Sequence, residues 1–567
     1  MGLIWTPTGT LNVAADPADL KESLLLKGGI TSGDMQRCKN LDLGRSGVIE
    51  TRKGSSKFNT SALSAAIKGL AIQGGTRYTL GDSDIYEDET SLSASVSGTG
   101  YWASVQYNPY NSTTQAVYAL NGTDKVRIEG STVYNWGITA PTVAPTLAVG
   151  SLTGLTGDYN AKYTYCRKEG DTVVVESNPS PAASSAATLA NESLDVTWTA
   201  SADPQVTHVR IYRSQAGGSL YYHDQDVAIG TVTVDSNTSD GSLGSQVATD
   251  HDIPPAGQYV AGPTYEGVLF IIEDNKLWFC EPKQPDYWPA ANYIEVSKLQ
   301  DPGKCLVFYN GVPYFITETS IYHIQGTSSS TFYPLPMESL TGCQGPNAAC
   351  SVRGKGIYHV GADGIYLFST FDQKVSQTEF EPIFNGETSN GMPGVGDLST
   401  SWVFSHSGKL YFGYASADDS YPKHCIVYNF ESGRQTYFAW PFEIVVIAPD
   451  KADNRLVAVD SDGYVWHLEN PDEDTDGDTA ISWDVQTKDY TLPTRAHFPR
   501  WVKYDVDASG ATTAIGALYL GTTSHQTHTL SSSYNTKRRL VTPGNGSRAS
   551  VRIYGTGPVT IRGCEFE

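Results

Sequence analysis

The acidic run Asp472-Glu-Asp474-Thr-Asp476-Gly477-Asp478 holds the residues of this chain best suited to binding a cation. Carboxylates at alternate positions, followed by Gly for a sharp bend, match the first half of a calcium loop. The twelfth position is Trp483, where a bidentate Glu belongs, and no flanking helices are indicated. The segment therefore reads first as a solvated acidic linker, with Asp472, Asp474 and Asp476 as the ligands a calcium ion would take. His525-Gln-Thr-His528 places two imidazoles three residues apart. On a strand they point to opposite faces and chelate poorly. Lys537, Arg538 and Arg539, with Arg548, Arg552 and Arg562, form a basic concentration in an acidic chain. They read as exposed hairpin charges. In an assembly of copies they would make a positive ring able to contact DNA or an acidic partner.

Other catalytic signatures are missing. The nucleophile elbow G-x-S-x-G, the Walker loop and G-x-G-x-x-G do not occur. Ser461-Asp-Gly-Tyr-Val-Trp466 has the letters of a sialidase turn box at the wrong spacing. The 61 Asp and Glu residues leave paired carboxylates open as a glycosidase arrangement, but Asp as a turn former is the ordinary explanation. The expectation is a chain that is not an enzyme and needs no cofactor. The eight cysteines form no C-x-x-C pair, which argues against zinc and against a disulfide scaffold. A net charge of −22 lacks the basic stripe of a nucleic-acid reader. It suits a surface that repels phosphate. The opening residues do not resemble a signal peptide, so synthesis in a cytoplasm is expected, and no apolar run is long enough for a membrane span.

The elements that must position these residues are strands. Gly (55) and Tyr (34) are plentiful, charged residues make up only 18%, and helix signals are nearly absent. Asp16–Leu26 is the one helix candidate, with Leu20, Leu24 and Leu25 on one face. A turn-and-strand phrase recurs as Asp274–Phe279, Thr319–Ile324, Asp363–Phe368, Gly408–Phe412 and Asp462–Trp466. Its spacing of about 40–55 residues is near the length of a propeller blade. Pro-rich breaks near residues 139–146 and 251–256 enclose about seven strands, a fibronectin type III-like pattern. The expected fold is all-β: a β-propeller of six to eight blades with an inserted fibronectin type III-like β-sandwich and a C-terminal β-sandwich. Residues 1–64 are a lead-in, 65–138 the first part of the propeller and 139–257 the insertion. Residues 258–470 are the remainder of the propeller, and 471–567 the acidic linker with the terminal sandwich. The aromatics of the phrase, Trp278, Tyr322, Tyr366, Tyr411 and Trp466, read as packing between blades.

Several runs resemble tail proteins of short-tailed bacteriophages. They are Glu281–Pro289 with Asn292–Val296, Thr317–Gly326, Asp363–Phe368, and the ending Arg552–Ile561. Arg37-Cys-Lys-Asn-Leu-Asp-Leu43 leading to Thr51-Arg-Lys-Gly54 is similar to the opening segment of that family, with Lys53 where Pro is usual. The resemblance is to the tail nozzle, or tubular tail protein B. It implies a homo-hexameric ring below a tail adaptor ring, an exit channel for viral double-stranded DNA, and docking surfaces for tail fibres, spikes or a needle. It also implies a place in the virion tail after synthesis in the host cytoplasm. The other reading is a propeller-based glycan-binding adhesin or polysaccharide-degrading tail enzyme.

Overall fold

The computed structural model describes residues 3–26, 30–44, 47–108, 115–376, 378–491, 499–530, 536–540 and 546–566. It is almost entirely β and propeller-like. Among the described residues, seven sets of four antiparallel strands follow one another: residues 67–91, 103–135, 259–295, 303–336, 349–374, 395–439, and 444–470 joined by Gly54–Lys57. The first five are separate sheets, the sixth continues into a ten-stranded sheet and the seventh into a six-stranded one. The first strands are Ile67–Gln73, Ala103–Tyr107, Tyr259–Ala261, Gly303–Tyr309, Ala349–Val352, Val395–His406 and Ile444–Asp450. Each touches the next, and the last touches the first, so the seven close into a ring. Repeats of this kind bury their apolar faces only against neighbours, which is why the ring must close.

The seventh sheet contributes three strands of its own, and Gly54–Lys57 supplies the fourth by pairing with Val465–Asn470. Residues 1–64 are therefore more than a lead-in. Leu3–Thr6 and Ile49–Thr51 both pair with Thr560–Phe566, the last strand of the chain. Arg37–Lys39 lies between Gln435–Ala439 of the sixth sheet and Ser482–Gln486. The N-terminal strands and residues 482–566 thus build one terminal unit of two sheets with a shared core, including Trp5, Leu41, Trp483, Val485, Val502, Tyr504, Ile553 and Ile561. The expected helix over Asp16–Leu26 is absent. Asp16 starts a turn, accepting the Ala18 N–H at 2.9 Å. Glu22–Leu26 then forms a strand against Ile30–Gly33, because pairing with the terminal sheet offers more than an isolated helix stripe.

Between the second and third sheets, residues 146–236 form nine strands in three small sheets around a core of Leu155, Tyr163, Val175, Val196, Val209 and Ile211. Ile138 and Tyr287, from outside this segment, complete that core. A buried polar group fixes the orientation. Arg127 reaches Gln205 at 2.9 Å, Glu129 at 3.2 Å and Asp286 at 3.4 Å. Glu129 in turn accepts both Arg167 Nη atoms, at 2.8 and 2.6 Å. The Tyr287 hydroxyl accepts the Glu176 N–H, and its ring stacks on His251 at 3.9 Å. The Pro285 carbonyl accepts the indole N–H of both Trp136 and Trp288.

One guanidinium joins the N-terminal segment, the sixth sheet and the segment after the seventh. Arg52 is fully buried, and its nitrogens donate to Asn40 Oδ1, the Lys53 and Ala439 carbonyls, and both oxygens of Asp476 at 3.0 and 2.6 Å. It lies over the Trp440 ring, 5.3 Å from the centroid. Gly54 follows because a Cβ there would sit 2.1 Å from the Thr475 carbonyl oxygen. Removing one partner of a buried, hydrogen-bonded ion pair strands the other charge, at about 3–5 kcal/mol. Arg52→Ala and Asp476→Ala are each expected to lower stability by about that amount in urea unfolding followed by tryptophan fluorescence. Replacing both by apolar residues of similar size, Arg52→Met with Asp476→Leu, should cost clearly less than the sum of the two single losses.

Candidate functional site

The three carboxylates expected for calcium do not converge. Asp476 is buried in the ion pair with Arg52 and also accepts the Ser55 hydroxyl at 3.0 Å. Asp474 is exposed and lies 3.7 Å from Lys53, while Asp472 is exposed at a turn where its N–H meets Asn470. Among the described residues no cluster of three His, Cys, Asp or Glu side chains suits a metal ion. The acidic run is also no free linker, since Thr475–Asp476 pairs with Gly54–Lys57. A carboxylate already held by a guanidinium has few lone pairs left for a cation.

The basic residues are divided between the two sheets of the terminal unit. Arg538 and Arg539 lie on Thr536–Arg539 of one sheet, and Arg548 and Arg552 on Arg548–Thr556 of the other. Lys537 belongs to the first of these strands, but its side chain is outside the described residues. Arg548 meets Asp16 at 2.8 Å, and Arg552 makes a bidentate pair with Asp484 at 2.8 and 2.6 Å. Arg538 reaches the Thr529 carbonyl at 3.4 Å, and Arg539 and Arg562 are exposed. Of the two histidines, His528 turns to Tyr504 of the facing sheet at 3.3 Å.

In the recurring phrase, carboxylates hold aromatic heads. The Trp466 indole donates to Asp460 at 2.7 Å, while the other Asp460 oxygen takes the N–H groups of Asp462 and Tyr464. Burial pushes the Asp460 carboxyl above its ordinary value, against these hydrogen bonds. Trp278 meets Glu273 at 2.9 Å and Tyr366 meets Asp363 at 2.7 Å in the same manner.

One gathering of titratable groups was not legible in the sequence. A cavity of about 460 Å³ lies where the sixth and seventh sheets meet the N-terminal segment. Asp42, Glu50, Lys53, His406, Lys409, Tyr411, His467 and Glu469 line it. The Lys409 ammonium donates to Asp42 at 2.7 Å and lies 3.6 Å from Glu469, which also accepts the Tyr411 hydroxyl. Burial opposes its charge, but Glu469 and Asp42 outweigh it and hold Lys409 above the usual lysine value. Such an ammonium is a fixed charge and not a nucleophile at neutral pH. Lys409, Asp42, Glu469 and Tyr411 thus engage one another across the cavity wall. Its members come from residues 42–53, 406–411 and 454–471, so no local spacing marks it.

No known protein family matches this chain, and no curated protein is significantly similar to it. Among solved structures it is similar to the crystal structure of Kluyvelomyces marxianus Hsv2, at 9% identity and a TM-score of 0.25, over 55% of this chain and 88% of that one. A likeness of this size carries no argument about fold or function.

Burial holds six histidines, His251, His323, His406, His424, His467 and His528, below the ordinary imidazole value of 6.5. Below that value the unfolded chain binds more protons than the folded one, so stability rises with pH until the unfolded histidines are neutral. The melting temperature is therefore expected to fall as pH drops from about 7 to about 5, and to be flat from about 7.5 to 8.5. In scanning calorimetry, His406→Gln with His467→Gln should reduce that slope.

Proposed function

We propose that this chain is a structural protein of the virion, the tail nozzle of a short-tailed bacteriophage. Six copies form a ring below the tail adaptor ring, and viral double-stranded DNA leaves through the channel. The observation that carries the reading is the position of the resembling runs. Arg37–Gly54 supplies the clasp around Arg52, Glu281–Pro289 supplies the anchor of the inserted segment, and Arg552–Ile561 spans strands that close the terminal unit. These are the joints of the fold. In this reading the seven-sheet ring is a β-propeller, and residues 146–236 are an inserted fibronectin type III-like sandwich. The terminal unit is a second sandwich. The chain acts without catalysis or a cofactor.

Two further features support it. The net charge of −22 gives a hexamer a strongly acidic surface, along which phosphates slide without sticking. Large apolar side chains also stand in solvent: Leu340 and Phe371 are 73% and 60% exposed, and the Leu340 N–H donates to Asp372, which follows Phe371 in the chain. Exposed apolar groups in proximity mark surfaces that other chains cover. A glycan-binding adhesin is the second reading, favoured by Tyr265, which is 99% exposed and lines a cleft of about 410 Å³. Aromatic rings in such positions stack on sugars.

Native mass spectrometry of the chain mixed with the portal and adaptor assembly of its phage should show six copies bound. Leu340→Glu with Phe371→Glu should abolish that complex while changing folding stability by no more than about 0.5 kcal/mol each. A chain that stays unbound there, and that captures a host polysaccharide on a glycan array through Tyr265, would favour the adhesin.

A further inference from the structure

Cys305 lies on Gly303–Tyr309, the first strand of the fourth sheet, and Cys343 lies in the connector from that sheet to the fifth. They are 38 residues apart in sequence, both are fully buried, and their Sγ atoms are 3.3 Å apart. The backbone holds them there. The Cys343 N–H donates to the Thr317 carbonyl, and Gly303–Tyr309 is paired with Val312–Thr317 along its length. Other cysteines sit differently: Cys38 meets the Thr436 hydroxyl and Cys280 accepts the Leu269 N–H.

We propose that Cys305 and Cys343 are a latent disulfide, open in a reducing cytoplasm and closed when the chain folds under oxidising conditions. The bond would tie the innermost strand of the fourth sheet to the connector that leads to the fifth. A disulfide needs its sulfurs about 2.05 Å apart, so closure requires a shift of about 1.2 Å, within reach of side-chain rotation. The oxidant is a small-molecule disulfide such as oxidised glutathione. One cysteine thiolate attacks a sulfur of the oxidant and displaces one thiolate, leaving a mixed disulfide. The second cysteine attacks the protein sulfur of that mixed disulfide and displaces the second thiolate. Two S–H bonds are lost and one S–S bond forms; the two electrons reduce the oxidant, and the two protons leave on its two thiols.

The hydrogen bond with Cys343, together with burial, holds the Cys305 thiol well above its ordinary value. Thiolate is scarce in the folded chain, so closure is fast during folding and slow afterwards. The same burial then shields the bond from reductants. Closing a loop in the unfolded chain limits its freedom, which raises stability in proportion to the logarithm of loop length. The inference concerns the fourth and fifth sheets alone and holds whatever the ring binds.

The test is to produce the full chain in an oxidising and in a reducing bacterial cytoplasm, denature both, alkylate free thiols, digest without reduction and map peptides by mass. The oxidised sample should contain a pair of peptides linked through Cys305 and Cys343, about 2 Da lighter than their sum, with the other cysteines alkylated. The reduced sample should show all eight alkylated. The oxidised chain should melt higher than the reduced one, and Cys305→Ala and Cys343→Ala should each remove both the link and the difference. Eight alkylated cysteines in both samples, or a link from either residue to another cysteine, would overturn the proposal. A link without a gain in melting temperature would overturn the stapling role.

Discussion

The buried pair of Arg52 and Asp476 is the contact on which the rest of this structure depends. A guanidinium and a carboxylate taken out of water are costly unless their hydrogen-bonding capacity is met. Here Arg52 spends its donors on Asn40, Lys53, Ala439 and both oxygens of Asp476, and Ser55 takes a further Asp476 lone pair. Those partners come from the N-terminal segment, the sixth sheet and the segment after the seventh. Such a network forms fully in one arrangement and poorly in any other, so it selects the register in which Gly54–Lys57 completes the seventh sheet.

The consequences run outward from that closure. With its fourth strand supplied from the N-terminus, the seventh sheet lies against the first and the ring has no open seam. The same N-terminal segment then continues into the two sheets of the terminal unit, so the two ends of the chain cannot unfold separately. The polar cavity around Lys409 lies at this junction, with the Lys409 ammonium held between Asp42 and Glu469. The inserted segment is fixed by a second buried network, centred on Arg127 and Glu129.

What could be read from the sequence was local. The alternation in Lys276–Phe279, Ile321–Gln325 and Gly364–Phe368 follows from side chains pointing to opposite faces, and the turns between strands follow from Gly, Asn and Asp. The individual strands and turns of the recurring phrase were visible for that reason. The partner of Asp476 was not, because Arg52 lies 424 residues away and a lone run of carboxylates looks solvated. Arg538 and Arg548 are near in sequence, yet their strands enter different sheets, so a charge cluster in one dimension is not one in three. Leu20, Leu24 and Leu25 fit a helical stripe, but edge pairing with Ile30–Gly33 decided the outcome in favour of a strand. The cavity around Lys409 and the thiol pair at Cys305 draw on strands whose adjacency is set by ring closure, and no spacing rule reveals that.

The nozzle assignment is tested most directly by an electron cryomicroscopy reconstruction of the phage tail, resolved well enough to trace this chain. Six copies are expected around the tail axis, directly below the adaptor ring. Each would have the seven-sheet ring closed by Gly54–Lys57, with carboxylates facing the channel. Finding the chain only as a peripheral appendage, or finding no copy on the axis, would contradict it.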